Sequence, residues 1–211
     1  MSLLDQLHGH WVHQRRVRVL AGHFNRVLPP GTRKLLDVGC GDGRLAREIL
    51  RLRPNLTVQG LDVFERPAAA IPVAVFDGRS LPFAEGDFDV VMFADVLHHT
   101  DDPLVLLREA ARVSRLGVAI KDHLRQGLLA QTTLSFMDWV GNASHGVALP
   151  YNYWQPKQWR AAFQKLGLKA ALWETKLGLY SIPANLFFER SLHFVALLEA
   201  ETLKDPSAAQ S

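Results

Sequence analysis

Asp37, Gly39, Gly41 and Gly43 stand at alternate positions in Leu35-Leu36-Asp37-Val38-Gly39-Cys40-Gly41-Asp42-Gly43-Arg44. The apolar run Leu35, Leu36, Val38 reads as a buried strand, and Arg44 to Leu52 reads as a helix that follows at once. Glycine is needed where backbone turns sharply, and where a ligand approaches the main chain with no Cβ in the way. A strand, a glycine turn and a helix N-terminus make a corner that binds nucleotides. Asp37 adds a carboxylate at the C-terminal end of the strand. It repels a pyrophosphate but can pair with an ammonium group.

Four further clusters could do chemistry. Asp62 ends the next strand, 23 residues after Gly39, a spacing at which a carboxylate accepts from both hydroxyls of a ribose; otherwise it is a turn residue. Val63 beside it could lie on a base or in the core. Asp77, Gly78 and Arg79 end a third strand, where Asp77 can accept from an exocyclic amine and the Gly78 and Arg79 amides can approach a ring; the alternative is a plain Asp-Gly turn. His98 and His99 follow a fourth strand. Histidine is a general base near neutral pH, and at most one of two adjacent rings is expected to face a cleft. Lys121-Asp122-His123 ends a fifth strand, where Asp122 or His123 could take a proton or simply cap a loop. His98, His99, Asp101 and Asp102 lack a standard ligand spacing, so no metal is expected.

These residues need elements to place them. Helical intervals of apolar residues over 3–28 stop at Pro29-Pro30-Gly31. Strands are expected at Lys34–Val38, Leu56–Asp62, Val73–Phe76, Phe88–Phe93 and Leu116–Ile120, with at most a short helix at 64–71. Asp102 caps a helix that Pro103 opens and that runs to Ser114. The alternation breaks over 123–153, then resumes with a helix at Pro156–Leu166 and strands at Leu168–Glu174 and Leu192–Leu198. Strands alternating with helical connections imply a mostly parallel sheet.

The Asp37–Gly43 run resembles motif I of the class I S-adenosylmethionine-dependent methyltransferases, in a form similar to the small-molecule "methyltransferase type 11" group. The dinucleotide fingerprint fits less well, because its third small position falls on Arg44. Asp77-Gly78-Arg79-Ser80-Leu81-Pro82-Phe83 is similar to the family's D-A-x-x-L-P-F segment, with Gly78 in place of alanine. The resemblance implies an α/β, Rossmann-like, seven-stranded and mostly parallel sheet flanked by helices, its last strand antiparallel. It implies S-adenosylmethionine as cofactor. Asp37, Gly39, Cys40, Gly41, Gly43 and Ala94 would line the methionine arm, Asp62 the ribose, and Val63, Asp77, Gly78 and Arg79 the adenine. The expected activity is methyl transfer to an oxygen, nitrogen or carbon of a small molecule, with His99, Asp122 and His123 as candidate catalytic residues. A non-catalytic cofactor binder of the same fold and an NAD(P)-dependent oxidoreductase are the alternatives.

The expected organisation is a helical cap (1–30), a methyltransferase domain (31–203) with an inserted substrate lid (123–153), and a disordered tail (204–211). In the insertion, Tyr151, Tyr153 and Trp154 suggest an aromatic wall, whereas Phe136 and Trp139 are expected to pack the extra helix on the core. Trp11 could close the remaining side. The 211 residues carry a net charge of +3, too small to demand nucleic acid, and Arg15, Arg16 and Arg18 read as a solvated helix face. One cysteine, no leader-like apolar segment and no run of the ~18 residues a membrane helix needs fit a cytoplasmic chain. The sequence leaves the oligomeric state open.

Overall fold

The computed structural model describes residues 3–142, 150–180 and 184–200, with side chains from residue 14 to 140 in the first of these. The disordered tail expected at 204–211 and the side chain of Trp11 lie outside the described residues. Seven strands form one sheet in the order β3-β2-β1-β4-β5-β7-β6. They are β1 (Lys34–Val38), β2 (Thr57–Asp62), β3 (Val73–Val75), β4 (Phe88–Ala94), β5 (Ser114–His123), β6 (Leu168–Glu174) and β7 (His193–Ala200). All pairings are parallel except those of β7, which runs antiparallel between β5 and β6. The helices are α1 (Leu3–Val27), α2 (Arg44–Leu52), α3 (Pro103–Val113), α4 (Ala130–Asn142), α5 (Pro156–Lys165) and α6 (Asn185–Phe188).

The central strands are apolar throughout because helices cover both faces. Six of the seven residues of β4 are buried. One core layer packs Leu36, Val91 and Phe93 under α3 and α5, and the other packs Leu35, Val90 and Met92 under α1 and α2. At the start of α3, Leu104 N donates to the Asp102 carboxylate at 3.0 Å and Pro103 takes the first turn, the cap the sequence calls for.

The position of α1 is fixed at its C-terminal end. Carbonyls there have no partner within the helix, and Arg53 reaches from the end of α2 to donate to Asn25 O and Leu28 O at 2.7 Å each and to Pro29 O at 2.9 Å. Leu20, Ala21, Phe24 and Val27 are buried beneath it. The anchored helix carries Arg16 to the C-terminal ends of the strands.

Strand β5 is longer than the Leu116–Ile120 expected, beginning at Ser114 and extending to His123. Residues 121–123 are therefore held in the ladder rather than in a loop, and His123 pairs in register with His193 of β7. Where a parallel sheet would cross directly to its next strand, the chain instead forms α4 and returns through 150–155.

Candidate active site

The three glycines after β1 all have positive φ: 72° at Gly39, 55° at Gly41 and 70° at Gly43. Their reasons differ. A Cβ on Gly39 would lie 2.5 Å from Val96 Cγ2, and one on Gly43 2.7 Å from Ile71 Cγ1, whereas one on Gly41 would meet nothing within 4 Å. Gly39 and Gly43 therefore serve contacts inside the protein, and Gly41 opens onto empty space. The turn is tied to β2 by Gly39 N and Cys40 N, which donate to Leu61 O at 2.7 and 3.1 Å. Asp37 is buried at the edge of a cavity. Burial, then the charge of Asp62, pushes its carboxyl up to about 7. Burial, then Asp37 and Asp62, likewise raises the Cys40 thiol to about 12, so this cysteine is a lining residue and not a nucleophile.

Asp62 is occupied. Its carboxylate accepts from Gly41 N at 2.9 Å, Phe64 N at 3.0 Å and Arg66 Nη2 at 3.1 Å, and only 4 % of the residue is exposed. Val63 is half exposed, which removes the core reading, and its Cγ1 would lie 3.1 Å from a Cβ on Gly78. Asp77 is exposed, and its Oδ1 accepts from Arg79 N at 2.8 Å and Ser80 N at 2.7 Å. Those backbone donors hold its carboxyl below the usual carboxylate range.

Beside the glycine corner, the ends of β4 and β5 carry a buried polar cluster. Asp95, at φ 60°, pairs with Lys121 and with Arg16, whose Nη2 lies at 2.6 Å. Burial would raise the Asp95 carboxyl, but Lys121 and then Arg16 hold it well below its ordinary value. Arg16 therefore faces inward, and Arg15 donates to Gly178 O at 3.2 Å, so the stretch is not the wholly solvated face expected. Asp122 does not border the cavity. It accepts from Leu97 N at 3.0 Å, His123 N at 2.7 Å and His98 Nδ1 at 2.7 Å, so it orients His98 and has no access to an acceptor. Burial opposes the charge on His98, but Asp122 and then Asp138 outweigh it and raise its pKa to about 10. Burial, then Lys121, lowers His123 to about 4. His99 is lowered by burial and then by His98.

One cavity of about 470 Å³ joins these parts. Asp37, Gly39, Cys40 and Ala94 border it on the corner side, and His98, His99, His123 and Asp138 on the other. Both adjacent histidines reach it, contrary to the expectation of one, because the 3-10 turn Leu97–His99 sets their rings side by side, centroids 4.1 Å apart and tilted by 44°. The wall comes from α1 (Arg16, Val17, Leu20), α4 (Phe136, Met137, Asp138, Val140) and Tyr180 and Phe188.

The expectation that Phe136 and Trp139 pack on the core is overturned. They are 52 % and 57 % exposed, while Leu134 and Tyr153 form the buried contact of the insertion. Asp138 was missed by the sequence reading. A signal was present: it is the one charged residue of α4 and lies between apolar neighbours. Asp95 and His193 were also passed over, and Lys121 was given no role of its own, because their partners come from other strands. The ligand set of His98, His99, Asp101 and Asp102 does not form; His98 meets His123 and Asp138 instead.

The fold and this corner define a class I S-adenosylmethionine-dependent methyltransferase. Residues 11–172 match the methyltransferase domain family, and the chain belongs to it. That assignment replaces the oxidoreductase alternative. An uncharacterised methyltransferase of Mycobacterium sp. (strain KMS) is 35% identical over 119 residues, 53% of this chain and 42% of that protein. The 27-O-demethylrifamycin SV methyltransferase of Amycolatopsis mediterranei is 32% identical over 151 residues, 58% of this chain and 55% of the relative. The chain thus spans about half the length of these relatives. A Haloferax volcanii methyltransferase, solved in complex with the Trm112 methyltransferase activator, superposes with a TM-score of 0.65 at 18% identity, over 92% of this chain and 93% of that one. Among the described residues no helix is long and apolar enough to cross a membrane.

Proposed function

We propose that the chain transfers a methyl group from S-adenosylmethionine to a hydroxyl oxygen of a small molecule held in the cavity. The observation that carries this reading is the single cavity that touches both the glycine corner and the histidine cluster. The corner suits the cofactor: Gly41 presents open space where a side chain would intrude, and Asp37 offers a carboxylate for an ammonium group. Val63 and Gly78 form an apolar face for the adenine at the ends of β2 and β3. The relative named for 27-O-demethylrifamycin SV supports an oxygen acceptor.

The bound cofactor supplies an electrophilic methyl on a sulfonium, whose leaving thioether is neutral and needs no acid. The chain's own work is alignment and water exclusion, worth several kcal/mol of barrier, and removal of the acceptor's proton. We assign the last to His99. It lines the cavity, and burial lowers its pKa, which favours the neutral ring that can accept a proton.

The test is incubation with S-adenosylmethionine and a panel of hydroxylated, amine and carbon-acid metabolites, reading S-adenosylhomocysteine by mass spectrometry. His99→Ala should lower turnover ~10²–10⁴-fold while cofactor affinity stays within a factor of about two. Tight cofactor binding with no turnover on any acceptor would support the non-catalytic reading instead.

A further inference from the structure

We propose that His98, His123 and Asp138 bind one divalent cation of the zinc class on the floor of the cavity. The three side chains come from the turn after β4, the end of β5 and the middle of α4, and are 1 %, 2 % and 7 % exposed. His98 Nε2 lies 3.3 Å from Asp138 Oδ2, and His123 Nε2 lies 3.6 Å from Asp138 Oδ1. All three ligand atoms fall within 4.8 Å of one another. Tetrahedral zinc with bonds of ~2.0–2.1 Å needs ligand atoms roughly 3.3–3.5 Å apart, so the His98–Asp138 and His123–Asp138 pairs already stand near that spacing and the two histidines would draw together on binding.

The hydrogen bonds fix which ring atoms face inward. Asp122 accepts from two backbone amides, so the proton between it and His98 belongs to Nδ1. That leaves His98 Nε2, which is buried and makes no aligned hydrogen bond. His193 Nε2 lies 2.9 Å from Phe188 O, and a carbonyl only accepts, so His193 carries its proton there. Its Nδ1 can then only accept, from His123 Nδ1 at 3.1 Å and from Lys121 Nζ at 3.4 Å, which puts the His123 proton on Nδ1. The remaining lone pair of His123 is on Nε2, facing Asp138 Oδ1 and, at 3.5 Å, Asp95 Oδ1. The Tyr153 hydroxyl donates to Asp138 and keeps that carboxylate aimed inward.

The outward nitrogens of both histidines are thus engaged by the protein, and their inward nitrogens converge on the Asp138 carboxylate, whose Oδ2 faces His98 and also accepts from Tyr153 and whose Oδ1 faces His123. A cation satisfies that set. Asp122–His98 and His193–His123 supply the outer partners that fix a ligating histidine's tautomer. Two imidazoles and one carboxylate suit zinc and its first-row neighbours rather than magnesium or calcium. The cavity side is open for a fourth ligand.

The test uses the full chain without a histidine tag, stripped by chelator and titrated with Zn²⁺ by calorimetry. One equivalent should bind. Co²⁺ in its place should give the visible absorption of a tetrahedral site. His123→Gln and Asp138→Asn should each weaken binding at least ~100-fold, and Asp122→Asn, acting through His98, ~10–100-fold. The parent chain decides first: if it binds no equivalent, the three residues are held together by protons alone and the proposal fails. It fails equally if Zn²⁺ binds with parental affinity in folded variants of both His123 and Asp138.

Discussion

Lys121, none of whose side chain is exposed, is ion-paired to Asp95 across the ends of β5 and β4. The backbone repeats the link, with Asp95 N donating to Lys121 O at 2.9 Å. Removing one partner of a buried pair leaves an uncompensated charge and costs about 3–5 kcal/mol. Asp95→Ala should show that loss in urea unfolding. Lys121→Met should cost distinctly less, because it removes the buried charge itself and Asp95 keeps Arg16 at 2.6 Å. Equal losses would mean that the pair contributes packing and not charge compensation.

Gly39 and Gly41 should separate stability from binding. Gly39→Ala drives a methyl against Val96 at 2.5 Å and should lower the melting temperature sharply. Gly41→Ala meets open space and pays only the left-handed strain, about 1–2 kcal/mol. Its effect should instead appear as weakened S-adenosylmethionine binding, with Gly41→Val worse. Undiminished affinity in a folded Gly41→Val chain would remove this corner from the cofactor site.

Asp37 should make cofactor affinity depend on pH. Its folded pKa of about 7 lies above the ordinary 3.8. Between those values the folded chain holds a proton that the unfolded chain has lost, so stability falls as pH rises through that window. An ammonium ligand needs the ionised form, so binding releases the proton. Affinity should climb from about pH 5.5 to about 7, by at most ~10-fold per pH unit. Calorimetry on Asp37→Asn should give a flat profile and weaker binding, with a higher melting temperature than the parent at neutral pH without cofactor.

Asp62 and Arg66 provide a paired test of the ribose site. Asp62→Ala should weaken the cofactor by about 1.5–3 kcal/mol, the scale of hydrogen bonds to a charged acceptor. Because Arg66 now holds one of the oxygens, Arg66→Ala should leave affinity unchanged or improve it. A loss in Arg66→Ala comparable to that in Asp62→Ala would show that the pair acts as a structural brace.

The parts of this fold that were legible in the sequence are those written in local pattern. The continuous apolar run of β4, the Asp102-Pro103 cap and the alternate glycines after β1 each specify their element without outside help. The acceptor side was not legible in the same way. Asp138 reaches His98 from 40 residues away in the chain, and His193 meets His123 only because β7 inserts between β5 and β6. Spacing rules find ligands on one helix or one loop, and this cluster draws each member from a different element. Phe136 and Trp139 misled for a related reason: helical periodicity shows that a face is apolar, not that something covers it.

The antiparallel β7 has a consequence for how the molecule comes into being. Because this strand is reversed, its first residue, His193, and the segment before it arrive at the cleft. Glu189 pins that segment by accepting from Leu177 N, Gly178 N and Leu179 N at 2.7–3.0 Å. The glycine corner, with its Ile71 and Val96 contacts, is built from residues 34–96, whereas Tyr180, Phe188 and the His123–His193 contact need residues translated well after them. A nascent chain can therefore shape the donor side long before it can enclose an acceptor. Selectivity is acquired after the donor site.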